Sequence, residues 1–252
     1  MITEPGLYNM DCMVALKEYP DNYFDLAIVD PPYGDAGGGS AERRGSENGS
    51  TDTTGRLPRQ KLRGGVRHIT SGLRKGQSPP DWWNMGGEVR KKIIAWDVAP
   101  DKSYFDELFR VSRNQIIWGG NYFDLPPTRC FLIWRKTNVP EKFSMAMCEY
   151  AWTSFASNAK VFDYSAVGQE GRFHPTQKPV QLYTWIISNY AKPGDKLLDT
   201  HAGSGSSLVA AHRMGYDMIG FEIDEEYYKL AKERLDREKA QISLIDVIGR
   251  LP

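Results

Sequence analysis

The sequence predicts an α/β fold with a mostly parallel sheet covered on both faces. Two apolar runs, residues 24–29 and 196–199, each end in a turn dense with functional groups. Segments with helical spacing alternate with further short apolar runs, the pattern of βαβ units.

Taken in order, Gly6-Leu7-Tyr8-Asn9-Met10 reads as a short strand and residues 12–18 as a helix. Tyr19-Pro20-Asp21-Asn22 is a turn, and Phe24-Asp25-Leu26-Ala27-Ile28-Val29 is a buried strand ending at Asp30. The character then changes. Eleven of the 24 glycines fall between residues 34 and 80, among many Ser, Thr and Arg and few large apolar side chains. This predicts a long flexible insertion. Trp82 and Trp83 are read as anchors returning it to the core, with stacking on a base as the alternative. Tyr104, Phe105, Leu108 and Val111 form a 3.6-residue stripe, giving a helix over 102–111. Strands are expected at 115–118 (closed by Gly119-Gly120), 130–134 and 149–155. An apolar helix follows over 179–191, then strand, glycine turn and helix over 196–214. A strand at 217–223 and a charged amphipathic helix at 225–239 complete the pattern. Residues 242–252 are apolar enough to dock against some part of the fold. No repeat of 20 to 50 residues is visible.

A chain of 252 residues with 40% apolar content can bury one substantial core. No apolar run reaches the ~18 residues of a membrane span, and residues 1–5 lack the basic and apolar regions of a secretory signal. Cys12, Cys130 and Cys148 form no CxxC pair, so neither a disulfide framework nor a zinc site is expected. Net charge is zero, yet residues 36–92 hold twelve Lys or Arg against five Asp or Glu. A basic, loop-like stretch in a neutral chain is a partner signal, a solvated linker being the plainer reading.

Gly203 and Gly205 allow a tight turn after the strand at 196–199, with the backbone open to close approach. Glu222 ends the next strand, nineteen residues on, where an acid meets ribose hydroxyls in nucleoside-binding βαβ units. Leu208 stands where a dinucleotide fingerprint has its third glycine, and no lysine follows a longer glycine loop as in a P-loop. A nucleoside-type cofactor is therefore expected, against an ordinary βα turn. At the other strand tip, Asp30 offers a carboxylate, Pro31 and Pro32 offer unpaired carbonyls on an extended chain, and Tyr33 offers an aromatic face. That set suits gripping a planar base by its amino group; a Pro-Pro turn with Tyr33 packing inward is the alternative. His201 has no second ligand at metal spacing, so no metal is expected.

Asp30-Pro31-Pro32-Tyr33, then His174-Pro175-Thr176-Gln177-Lys178-Pro179, then Gly203-Ser204-Gly205-Ser206 resembles the DNA amino-methyltransferases. The catalytic motif precedes the cofactor motif, as in their β arrangement. The resemblance covers nearly the whole chain apart from the long loop. Residues 114–121 and Asp199-Thr200-His201 resemble small members carried by phages and prophages. The resemblance implies one domain over 1–252 with the Rossmann-like, mostly parallel sheet of S-adenosylmethionine-dependent methyltransferases, circularly permuted. It implies a target-recognition region at 35–171, containing the basic insertion at 35–80, and a cofactor half at 172–240. S-adenosylmethionine is the implied cofactor: Asp199, Thr200, His201, Ala202, Gly203, Ser204, Gly205 and Ser206 wrap it, Glu222 binds its ribose and Asp11 lies near its adenine. His174 belongs to the same site, and Thr176 and Lys178 meet the methionine carboxylate, Lys178 as a point charge. One departure stands out: Thr200-His201 replaces the family's usual Pro-Phe.

The implied reaction moves a methyl group to the exocyclic N6 of a flipped-out adenine. Asp30 and the Pro31 carbonyl take the amine hydrogens, and Tyr33 stacks on the base. Asp in the first motif position leans toward adenine in this family, with cytosine N4 as the alternative. No cysteine follows a proline, which disfavours ring-carbon methylation. Action on RNA or a glutamine amide, and a non-catalytic cofactor-binding partner of DNA, are further alternatives. Arg43, Arg44, Arg56, Arg59, Lys61, Arg63, Arg67, Arg74 and Lys75 are the expected phosphate contacts on double-stranded DNA, giving steep salt dependence. The family context implies a cytoplasmic, restriction-modification setting and, since members often pair, a homodimer.

Overall fold

The computed structural model describes residues 1–34, 98–140, 146–166 and 171–248, with side chains in the last helix to residue 241. The basic insertion with all nine expected phosphate-contacting residues, and Trp82 and Trp83, lie outside the described residues.

Eight strands form one sheet: β1 (Gly6–Asn9), β2 (Phe24–Val29), β3 (Ser112–Trp118), β4 (Phe131–Lys136), β5 (Cys148–Thr153), β6 (Lys160–Tyr164), β7 (Lys196–Asp199) and β8 (Asp217–Glu222). Their order is β1-β8-β7-β2-β3-β5-β4-β6. Every neighbouring pair is parallel except the two made by β5, which runs antiparallel to β3 and β4. The helices are α1 (Cys12–Leu16), α2 (Lys102–Val111), α3 (Val180–Tyr190), α4 (Ser206–Arg213) and α5 (Glu225–Ile248).

Side chains of the central strands alternate between two cores. Leu26, Ile28, Ile116, Trp118 and Leu197 face one side with α3, α4 and α5. Ala27, Val29, Ile117 and Leu198 face the other with α1 and α2. Burial on both faces is why these strands read as continuous apolar runs rather than alternating ones. Helix α2 takes the bounds its sequence predicts: Asp101 caps it, accepting the Ser103 N–H at 2.9 Å, and Tyr104, Phe105, Leu108 and Val111 are its buried stripe.

The sheet winds one way through β7, β8 and β1 and the other way through β2 and β3. The reversal falls between β7 and β2, where open α/β sheets bind ligands beyond the strand C-termini. These two strands are parallel partners, with Leu26 opposite Leu197 and Ala27 opposite Leu198. The two loaded turns therefore leave one edge of the sheet side by side.

Two expectations need correction. The charged helix expected to end at residue 239 continues as α5 to Ile248, since no glycine or proline lies between Ala240 and Ile248. Strand β6 is not among the expected strands. It is an edge strand whose residues are exposed or only partly buried, so it carries no apolar run.

Candidate active site

Strand β2 delivers Asp30 to the sheet edge and the proline pair holds the chain extended beyond it. Among the described residues no hydrogen bond reaches the Pro31 carbonyl. The Tyr33 hydroxyl returns to donate to Asp30 Oδ1 at 2.6 Å. Burial, followed by the charge of Asp30, raises the Tyr33 pKa, so it remains a phenol and a donor. The ring of Tyr33 fits only because residue 119 is glycine. Gly119 has φ of +67°, and a Cβ there would lie 2.1 Å from the Tyr33 ring. The turn that follows, Gly120–Tyr122, sets Tyr122 flat against Tyr33 with centroids 4.9 Å apart.

Asp30 Oδ2 accepts from the Lys178 ammonium, which arrives from the segment before α3. Lys178 is buried and its ammonium also lies 3.2 Å from Glu149 Oε2. Glu149 sits on β5 and its other oxygen pairs with Lys136 at 2.6 Å. Burial works against the Lys178 charge, but Asp30 and Glu149 outweigh it and raise its pKa. Burial likewise opposes ionisation of Glu149, and Lys178 and Lys136 hold it below the usual carboxyl range. Both are charged. The resemblance puts Lys178 at a methionine carboxylate; here its charge is committed to Asp30 and Glu149. Glu149 lies in none of the motifs visible in the sequence. Its signal was a lone acid between Cys148 and Tyr150 in a strand that grows steadily more buried.

The second half of the site begins at Asp199. Its carboxylate accepts from the Ser207 hydroxyl and from the His201 N–H, the latter at 3.0 Å, so it ties the turn to the start of α4. Burial raises its pKa to about 7. Gly203 and Gly205 both take positive φ, +51° and +70°. Glu222 braces the turn: one oxygen accepts the Gly203 N–H at 2.8 Å and the other the Asp224 N–H at 2.8 Å. Each carboxylate oxygen has a second acceptor direction, so the arrangement leaves capacity for sugar hydroxyls. Asp11 caps α1 by accepting the Met13 N–H at 2.8 Å. It follows β1, whose Asn9 is paired with Glu222.

Thr200 and His201, the departure from the Pro-Phe of the family that the sequence resembles, form a small network. Thr200 Oγ1 lies 2.6 Å from the Tyr104 hydroxyl and 2.9 Å from His201 Nδ1. The His201 ring meets Tyr104 edge-on at 5.4 Å. Burial lowers the His201 pKa to about 4, so the imidazole is neutral and takes an aromatic's place. His174 is neutral for the same reason, burial first and then the Lys178 charge. It packs edge-on against Tyr227, and a Cβ at Gly203 would lie 3.4 Å from its ring. Thr176 Oγ1 is 3.2 Å from His174 Nδ1. Ala202 is buried, its N–H bonded to the Phe221 carbonyl at 2.8 Å. Ser204 and Ser206 turn away from the edge: their hydroxyls lie 3.0 Å apart, and Arg234 of α5 donates to the Ser204 carbonyl and the Ser206 hydroxyl.

Residues 133–233 match the profile of the N6/N4 methyltransferases, described as DNA methylase. This stretch matches the DNA amino-methyltransferase family. It spans β4 to α5 and so includes the histidine motif, the glycine turn and Glu222. The type II methyltransferase M2.DpnII of Streptococcus pneumoniae is 46% identical over 65 residues, 26% of this chain and 24% of that protein. The chain thus aligns with about a quarter of the length of the curated relatives it matches. Two solved structures share the fold of the chain. One is the M1.HpyAVI–SAM complex, with TM-score 0.51, 18% identity, and 91% of this chain and 98% of that one covered. The other is PvuII DNA methyltransferase (cytosine-N4-specific), with TM-score 0.52, 12% identity, and coverage of 96% and 93%. The mixed α/β sheet is therefore a fold shared with these two structures. Among the described residues no helix is long and apolar enough to cross a membrane.

Proposed function

We propose that this chain is an S-adenosylmethionine-dependent DNA methyltransferase acting on an exocyclic amino group, with adenine N6 as its target. The observation that carries this reading is the parallel pairing of β2 with β7, which sets Asp30 and the 200–206 turn at one sheet edge. The adenine assignment rests on the family's preference for Asp at the position of Asp30.

The residues present fit the cofactor. Glu222 has acceptor capacity for ribose hydroxyls, and the positive-φ turn at Gly203 opens the backbone to the ligand. When bound, S-adenosylmethionine supplies an electrophilic methyl group on a sulfonium that departs as a neutral thioether.

The chain's own part is positioning and charge. An exocyclic amine is a weak nucleophile because its lone pair is delocalised into the ring. Asp30 accepting one N–H and the Pro31 carbonyl accepting the other favour the pyramidal amine, the charge-assisted bond being the stronger. Asp30 then lies beside the proton that the methylated nitrogen sheds. Holding donor and acceptor in line contributes roughly 7–11 kcal/mol to the rate. A duplex base reaches this edge only when flipped, which costs a few kcal/mol, and stacking on Tyr33 returns about 1–3 kcal/mol.

The test is to incubate the protein with unmethylated genomic DNA and methyl-labelled cofactor and identify the product by nucleoside mass spectrometry. N6-methyladenine is expected. N4-methylcytosine as sole product overturns the adenine assignment, and absence of any modified nucleoside overturns the reading.

A further inference from the structure

We propose that Glu149 is a positioning residue for the transfer, providing the second seat to which Lys178 withdraws when the target amine takes Asp30. The inference rests on the amino-methyltransferase reading above and extends it to a residue outside the family motifs.

Four charges alternate in a short chain, Lys136, Glu149, Lys178 and Asp30. Their side chains are 9%, 24%, 4% and 15% exposed, so water contributes little to their solvation. Asp30 must pull on an amine N–H, yet both of its oxygens are engaged, one by Tyr33 and one by Lys178. An ammonium resting on that carboxylate neutralises the charge the amine needs. Withdrawing it without compensation would leave a buried cation unpaired, which is strongly unfavourable. Glu149 removes that obstacle: its Oε2 already lies 3.2 Å from the Lys178 nitrogen, so a small swing exchanges one carboxylate for another. Lys136 fixes the opposite oxygen of Glu149 and keeps it aimed. Around the group, Trp118 and Tyr33 offer ring faces 5.4 and 6.0 Å from the Lys178 nitrogen, which suit a cation in either seat.

Two variants pull the ammonium in opposite directions. In Glu149→Gln the second seat loses its charge, so Lys178 stays on Asp30. The expected result is a tenfold or greater loss of kcat for methyl transfer to DNA, with S-adenosylmethionine affinity by calorimetry within twofold of the parent. In Lys136→Gln the full charge of Glu149 falls on Lys178, and the expected result is a KM for DNA lowered twofold or more.

A purely structural network would respond alike to both changes, so parallel losses of kcat that track losses of Tm overturn the proposal. Parental kcat in Glu149→Gln, or loss of cofactor binding in it, also overturns the proposal. Should Glu149→Gln fail to fold, Lys136→Gln decides: a lowered KM for DNA supports the proposal, and an unchanged or raised one defeats it. A parent protein that transfers no methyl group sinks the methyltransferase reading itself, and this inference with it.

Discussion

Tyr122 lies parallel to Tyr33, the planes 10° apart and the centroids separated by 4.9 Å. One face of the Tyr33 ring is thus covered by a residue that is itself 51% exposed. A base stacking there displaces Tyr122 and gives up a ring pair worth about 0.5–1.5 kcal/mol. Tyr122→Ala removes that competitor. The expected outcome is a KM for DNA lowered about 2- to 10-fold, with kcat unchanged and Tm lowered slightly. Steady-state kinetics on unmethylated DNA decide it; a raised KM means that Tyr122 grips the base instead.

Gly119→Ala tests the support beneath Tyr33. The new methyl group would fall 2.1 Å from the ring on a backbone with positive φ, so Tyr33 must leave its place. Overpacking of this kind costs about 1–3 kcal/mol. Methyl transfer should fall at least tenfold while calorimetry still finds cofactor binding, because the turn at 200–206 is untouched. Full activity would mean that the ring position does not matter.

The pH dependence of stability carries the mark of three buried groups. Burial raises Asp199 to about 7 and lowers His174 and His201 to about 4. The folded Asp199 keeps a proton that the unfolded chain releases near pH ~4, so its contribution is full below that pH and is lost as pH rises through 7. The histidines act oppositely: the unfolded chain protonates them first, near pH ~6.5, and their contribution is lost as pH falls through 4. Between pH ~4 and ~6.5, one carboxyl therefore opposes two imidazoles. Asp199→Asn should steepen the rise of unfolding free energy across that window by about 1.4 kcal/mol per pH unit. Urea titrations at pH 4.5 and 6 measure it, and an unchanged slope contradicts a raised Asp199.

Glu222→Gln replaces one of two acceptors braced on backbone N–H groups by an amide donor. A hydrogen bond to a charged group is worth about 1.5–3 kcal/mol, so cofactor affinity by calorimetry should weaken at least tenfold. An unaltered affinity would exclude Glu222 from the cofactor site.

Much of this architecture was legible in the sequence because its signals are local. Phe24–Val29 and Lys196–Asp199 announce strands buried on both faces, and the stripe of Tyr104, Phe105, Leu108 and Val111 announces α2 to the residue. Strand β6 was hidden because an edge strand with little burial has no apolar run to show. The partners of Lys178 were hidden for a different reason. Asp30 is 148 residues away in sequence, and only the switch point between β2 and β7 brings the two together. Glu149 likewise acquires meaning only when β5 folds beside β3, antiparallel among parallel neighbours. Thr200-His201 was visible as a departure from the family, but its function as a neutral, ring-packing pair needed Tyr104 in place.

Above all, Asp30 and the glycine turn are proposed to serve one transfer across a shared edge. The most direct measurement is labelled methyl transfer to DNA by the Asp30→Ala variant, with cofactor binding followed in parallel. Glu149 keeps Lys178 paired in that variant, so the fold is expected to survive. Cofactor binding near the parental level and transfer reduced to background are expected; methyl transfer that persists without the Asp30 carboxylate would overturn the shared-edge mechanism.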